Sequence, residues 1–304
     1  MNTRTFFALT LLAAAPLSAH AQAKPAAATP TAQAVTLRYK FVPGQVHQYR
    51  FSMDMDGLMP SPMGGAGTPL QMAMQMTMKQ TVKDIRASDG AATISSQIED
   101  AHTTINGKET ALPQAQSDQM KKPYTMVMLP TGKVLSMDMP ALGGTGLPGM
   151  DFSKGMFSTT VTLPDGPVKV GDTWKGSGGM PTAGMQMTIT CTLNSLSQTK
   201  PMLATISQQQ VGVIDMALSQ GMPVAMKMTG KVTGSGTQVF DADAGALASM
   251  TGTANTDMTM TFGKPADGSP LPPGMPSAMN VQMKTTITMK RLNDTAPAAA
   301  PPAP

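Results

Sequence analysis

Thioether sulfur is the commonest soft ligand atom in this sequence, since 31 of its 304 residues are Met. Many occur as Met-x-Met, at 53/55, 72/74/76/78, 126/128, 137/139, 185/187, 226/228 and 258/260. Thioethers suit Cu(I), and on a strand residues i and i+2 share a face roughly 6.7 Å apart. Met53 and Met55, followed by Met59 and Met63, form the best such group, because they run into a Gly/Pro loop that can wrap an ion. The competing chemistry is apolar. Met is flexible and polarisable, fills irregular cores, and is over-used on adaptable binding surfaces.

Other chemistries find little support. His20 falls in the N-terminal apolar segment, which leaves His47 and His102, and neither shows a recognisable metal-ligand spacing. A His-Glu-x-x-His helix, a Gly-x-Ser-x-Gly elbow, a Walker A loop and a Gly-x-Gly-x-x-Gly unit are all absent from the sequence. The acid pairs Glu99/Asp100 and Asp241/Asp243 fall at expected turns, where carboxylates are ordinarily solvated. Cys191 lies between Ile189 and Leu193 on the apolar side of a predicted strand, as a buried structural thiol does. The expectation is a protein that is no enzyme and needs no cofactor.

The stretch that organises the chain is Leu163–Trp174, LPDGPVKVGDTW. Pro164, Asp165, Gly166 and Pro167 make a rigid turn. Val168 and Val170 alternate with Lys169 at strand spacing, Gly171-Asp172 is a hairpin-type turn signal, and Trp174, the only tryptophan, reads as a core plug whose ring NH needs a partner. This Leu-Pro-x-x-Pro-Val-x-Val-Gly-Asp-x-Trp string is similar to one in a family of secreted bacterial β-rich proteins of unknown function. The resemblance implies an envelope protein with a large antiparallel sheet and carries no active site. Lipoprotein-carrier half-barrels with a greasy hollow are a further analogy.

Residues 1–23 read as a signal peptide, with Arg4 in the positive region, an apolar run to Leu17, and small-x-small cleavage sites ending at Ala21 or Ala23. The expected product is exported, to the periplasm or beyond, and not membrane-spanning. Residues 24–34 and 295–304 are Pro/Ala segments unable to bury enough apolar surface to order themselves. The remaining length of about 260 residues suits one large β domain or two fused copies. Lys plus Arg number 22 against 18 Asp plus Glu, giving a net charge of +4. No basic run occurs, so nucleic acid is not an expected partner. A single Cys excludes an internal disulfide.

An internal repeat divides this region. Met74-Gln75-Met76-Thr77 recurs as Met185-Gln186-Met187-Thr188, Ala92-Thr93-Ile94-Ser95 as Ala204-Thr205-Ile206-Ser207, and Thr125–Met128 as Thr237–Phe240, at a nearly constant offset. The expected units are 35–162 and 163–294. In this alignment Met78 faces Ile189 and Met128 faces Phe240, which favours volume-filling over metal ligation. The strands show period two, apolar on one side and Thr, Lys or Gln on the other, as antiparallel strands wet on one face do. Gly57–Pro69, Pro140–Met150 and Lys264–Pro276 read as loops. Gln114–Lys122 and Val213–Gln220 read as short helices.

The expected fold is therefore mainly β: two pseudo-repeated antiparallel units forming one large curved, half-barrel-like sheet or two packed sheets, with one or two short helices. The expected function is an exported non-enzymatic protein binding a lipid or other apolar molecule on a Met-lined face. Met74, Met76, Met78, Met185, Met187, Ile189, Met226, Met228, Met258 and Met260 are the expected contact set. The alternatives are a periplasmic Cu(I) protein using Met53, Met55, Met59 and Met63, and a scaffold without a cavity.

Overall fold

The computed structural model describes residues 34–59, 67–111, 114–138, 162–180, 185–218, 224–265 and 276–295. The strands are β1 (Val46–Met59), β2 (Thr68–Ile85), β3 (Ala92–Ile105), β4 (Lys108–Glu109), β5 (Tyr124–Met128), β6 (Val134–Asp138), β7 (Thr173–Met180), β8 (Met185–Leu196), β9 (Leu203–Leu218), β10 (Val224–Asp241), β11 (Ala246–Pro265) and β12 (Ala278–Thr295). One helix, α1 (Gln114–Met120), lies between β4 and β5.

All twelve strands belong to one sheet, ordered β6-β5-β3-β2-β1-β12-β11-β10-β9-β8-β7, with β4 paired beside β3. Each half is a meander, and β1 pairs antiparallel with β12 to fuse them edge to edge. The single sheet, not the pair of packed sheets, is the form adopted. Its order ends in β6 on one side and β7 on the other, so it is open. A single apolar cluster nevertheless runs from Ile98 and Tyr124 on one flank to Cys191 and Leu193 on the other. The sheet therefore curls so that its apolar face covers itself.

The blocks matched in the sequence occupy matching places in the two meanders. Ala92 is opposite Met128 across β3–β5, and Ala204 is opposite Phe240 across β9–β10. The β2–β3 ladder slips between Val82 and Asp84, as β8–β9 does between Leu193 and Ser195. The β5–β6 ladder slips between Val127 and Met128, as β10–β11 does between Val239 and Phe240. Each slip is a β-bulge, which bends and twists a strand locally.

One end of the curl is capped by two irregular segments. Val35 and Val168 exchange a pair of backbone hydrogen bonds at 2.8 and 2.9 Å. The Arg38 guanidinium donates to the carbonyls of Pro164 and Asp165. Leu163 N donates to Thr131 O, while Tyr39 N and Lys40 N donate to Pro130 O and Gly245 O, tying the cap to the turns below β5 and β10. Leu37, Leu163 and Val168 are thereby buried. Tyr39 meets Phe240 edge-on, with ring centroids 5.2 Å apart.

Several expectations change. Val213–Leu218 is the end of β9, not a helix. Its Ile214 and Met216 alternate inward while Val211 and Val213 point out, a period-two pattern that pairing with β8 and β10 enforces. Val168 makes an isolated bridge, not a sheet strand, and Gly171-Asp172 turns the cap into β7, with Asp172 N bonded to Lys169 O. Gly57 and Pro69 are paired strand residues, as is Pro265. Residues 60–66, 139–161 and 266–275, which hold the rest of the three expected loops, lie outside the described residues, as do 1–33 and 296–304.

The acids also differ. Glu99 and Asp100 sit in β3, beside a ladder slip, and not in a turn. Asp241 is buried, not solvated: its Oδ1 accepts the Ala244 amide and its Oδ2 the Arg291 guanidinium at 2.8 Å. The pair pins β12 to the β10–β11 turn.

Substitutions at Phe240 and Gly230, with Gly166 as the control, test this packing. Phe240→Ala should lower unfolding free energy by about 3–5 kcal/mol, the usual cost of emptying a fully buried aromatic site, in urea denaturation. A Cβ on Gly230 would lie 2.7 Å from the Met258 Cα, whereas one on Gly166 meets nothing within 4 Å. Gly230→Ala should therefore cost about 1–3 kcal/mol by overpacking and Gly166→Ala almost nothing.

Candidate ligand-binding face

Pairing carries the expected contact residues onto one side of the sheet. Met53, Met74 and Ile287 are neighbours across β2, β1 and β12, as are Phe51, Met76 and Met289 and, one pair over, Tyr49 and Met78. On the other half Met187 is opposite Gly212, which is opposite Val232. Met258 is opposite Gly230, and Met260 is opposite Met228, which in turn faces Met216. Ile189 lies one step below, opposite Gln210. Met226 is paired with Phe262. Met185 pairs with Met180 and Ile214 on the same register, and its side chain lies outside the described residues.

Burial splits this face into two ends. At the capped end Met76, Met78 and Met289 are buried with Tyr49, Phe51 and Phe240. Met226 and Met228 are buried at the far end, but Met74, Met187, Ile189, Met258 and Met260 are only half-buried there. A second cluster of Ile214, Met228 and Val232, flanked by Met187, Met216, Met258 and Met260, carries that end. A cleft of about 50 Å³ lies at the capped end, lined by Tyr39, Tyr49, Met78, Tyr124 and Met289 among others. It has room for a water or two and not for a lipid chain. A larger apolar surface on the same face is the half-buried Met group.

Of the thioether group expected for Cu(I), Met53 and Met55 lie on one side of β1. Met53 is buried in the core and Met55 is half-buried between Met72 and Thr285. Asp54 and Asp56 are exposed on the opposite face. The side chain of Met59 and all of Met63 lie outside the described residues. Among the described residues no group of three or more His, Cys, Asp or Glu is arranged to hold a metal.

Sequence reasoning missed the carboxylates beside His102. Its Nε2 is 3.1 Å from Asp100 and its Nδ1 3.4 Å from Glu109, all three well exposed. The Glu109 hydrogen bond, then the Asp100 charge, raise the imidazole pKa. Exposed pairs of this kind are worth little, and they face away from the Met surface.

Also missed was a polar column within the apolar face. Gln208 and Gln210 share the inward side of β9 with Ile206 and Ile214, opposite Gly236 and Gly234. Gln238, 2% exposed, donates from Nε2 to the Gln208 Oε1 at 2.5 Å, while its own Oε1 is buried without a hydrogen-bond partner. Period-two counting from Ile206 places Gln208, Gln210 and Gly212 on the inward side of β9, but it gives no signal of the burial of Gln238 on β10.

Trp174 is half-buried beside the cap and its indole NH donates to Thr162 O at 2.8 Å. Cys191, its partner across β7–β8, is buried and unpaired by disulfide. Burial pushes its thiol up to about 11.

Residues 150–246, a minority of the chain that includes Leu163–Trp174, match a family of unknown function, DUF6263. No curated protein matches the chain. Among solved structures, one describing lipid–protein interactions in lipovitellin is similar over 87% of this chain, with a TM-score of 0.53 and 10% sequence identity. The chain spans 27% of that protein's length, and at this identity the likeness is one of fold. A Salmonella typhi OmpF complex with daunomycin aligns over 81% of this chain and 97% of its own, with 6% identity and a TM-score of 0.22, too low to carry an argument. No helix among the described residues is long and apolar enough to cross a membrane.

The Cys191 environment gives a chemical test. With its thiol raised to about 11, native protein at pH 8 should react with iodoacetamide at least about a hundredfold more slowly than urea-unfolded protein, because thiolate is the nucleophile. The folded pKa lies above the unfolded one, so the associated stability is complete below about pH 8.5 and is lost as pH rises toward 11. Cys191→Ala should flatten that alkaline slope in denaturation measured from pH 8 to 11.

Proposed function

We propose that this protein is an exported, non-enzymatic carrier or receptor for an apolar molecule of the lipid class, held on the Met-lined inner face of the sheet. One observation carries this reading. The far end of a single, self-covering sheet presents half-buried thioethers, Met187 on β8, Met216 on β9 and Met258 and Met260 on β11, around the buried Met228 of β10, where the capped end has a packed core. Covering apolar surface is worth roughly 25 cal/mol per Å², so a guest chain lying there gains stability that the strands alone leave unclaimed. Met side chains can reshape around guests of different outline.

The fold-level likeness to lipovitellin supports the reading, because that structure describes lipid contacts. The Lys and Asp residues of the same strands, such as Lys227, Lys231, Asp215 and Asp257, lie on the exposed side, which leaves the inner face for the guest. In this proposal the two meanders are copies of one unit, fused so that each supplies half of the curl. Export follows from the expected signal peptide at residues 1–23.

Purified protein stripped of lipid should bind N-phenylnaphthylamine, with energy transfer from Trp174, its only tryptophan. Met260→Lys should weaken that binding roughly tenfold or more, because it places a charge on the apolar side. Thr261→Lys, on the exposed side, should leave it unchanged. Absence of binding to the wild-type protein, together with no apolar species in native mass spectrometry, would remove the proposal.

A further inference from the structure

We infer that the Gln208–Gln210–Gln238 column is a head-group site, and that the preferred guest is a long-chain amphiphile with an uncharged hydrogen-bond donor, a hydroxyl or a primary amide. This rests on the Met-lined face being a lipid site, and specifies which lipid and which way round.

The first observation is an unmet bond. Gln238 is 2% exposed, its Nε2 is engaged by Gln208 at 2.5 Å and touches the Met250 Sδ at 3.8 Å, and its Oε1 is buried without a partner. A buried amide oxygen left unsatisfied costs about 1–3 kcal/mol. A donor brought by a guest removes that penalty, whereas an acceptor does not.

The second observation is shape. Opposite Gln208 and Gln210, β10 carries Gly236 and Gly234. A Cβ on Gly234 would lie 2.6 Å from the Thr253 carbonyl and 2.9 Å from the Gln210 Cγ. The glycines are therefore what lets the Gln208 and Gln210 side chains lie flat across the sheet against β10. Counting along β9, Gln238 pairs beside Ile206 near the cap, Gln208 is next, and Gln210 is nearest Met187 and Ile214. Polarity thus runs inward and thioethers outward, so the head goes down and the tail lies over the Met surface.

The third observation is charge. Among the described residues, the Arg291 guanidinium on the same side of the sheet is held by Asp241 at 2.8 Å, the two side chains being 14% and 7% exposed. A carboxylate or phosphate head would enter a site built from amides, while that guanidinium is bonded to Asp241. Desolvating such an anion without a partner is far more costly than desolvating a hydroxyl.

The test is competition against bound N-phenylnaphthylamine by two guests with the same tail: hexadecanol, which donates, and methyl hexadecanoate, which only accepts. Hexadecanol should displace the probe at about tenfold lower concentration, the ratio expected for one buried hydrogen bond. Gln238→Leu should bring the two guests within about twofold while leaving the ester unchanged. If that variant does not fold, Gln238→Met, which keeps the side-chain length but has no carbonyl oxygen, should narrow the same gap. Equal displacement of the wild-type protein by both guests, or a preference undiminished in the variants, overturns the head-group site alone. Failure of the probe and both guests to bind overturns the lipid reading beneath it as well.

Discussion

A sheet that is apolar on one side and polar on the other has to hide the apolar side, and in this protein no second layer does so among the described elements. Twelve strands paired in sequence order, fused through β1 and β12, turn their own Met, Ile and Phe side chains toward one another. Every other feature answers to that constraint. Bulges at matching points of the two meanders provide the bend, and glycines in β10 permit close approach where a methyl group would collide with the neighbouring strand. The two short segments around Leu37 and Leu163 complete the cover at one end.

That cover is uneven, and the unevenness is what gives the molecule a candidate function. At the capped end, aromatic and aliphatic side chains pack against the cap around a cleft of about 50 Å³. At the far end a small buried cluster around Met228 is flanked on the same face by half-buried thioethers. Met costs little to rearrange, since its unbranched chain has several rotamers of similar energy. A surface of this kind suits a guest whose outline is not fixed. The glutamine column adds direction to it, because amides in an apolar wall are stable only when their hydrogen bonds are met.

The outer face explains itself by solvent. Thr-rich strands with interspersed Lys and Asp favour extended backbone and stay wet. The ends of the sheet order, β6 and β7, are the strands where pairing stops. β6 has five residues, and a short edge limits edge-to-edge association. The cap is bonded to turns on both halves, and its Thr162 carbonyl accepts the Trp174 indole NH.

Period two was legible along nearly every strand, because side chains alternate across a sheet whatever lies beyond it. From Met72 to Met78 and from Met185 to Leu193, the residues themselves fix which side is greasy. The correspondence between Ala92 and Ala204, or Met128 and Phe240, was equally visible. Val213–Leu218 was misread because a short apolar run fits helix or strand equally well in isolation, and only pairing with β8 and β10 selects the strand. Asp241 looked solvated because its partner, Arg291, is distant in sequence. The glutamine column was hidden for a related reason: glutamine on a strand is ordinarily an outward residue, and burial of Gln238 follows from the curl and the cap. Local alternation, then, is a property of the chain and decides the apolar side. Which parts of that side become core, and which remain open to a guest, depends on contacts between residues far apart in sequence, and those exist only once the sheet has closed on itself.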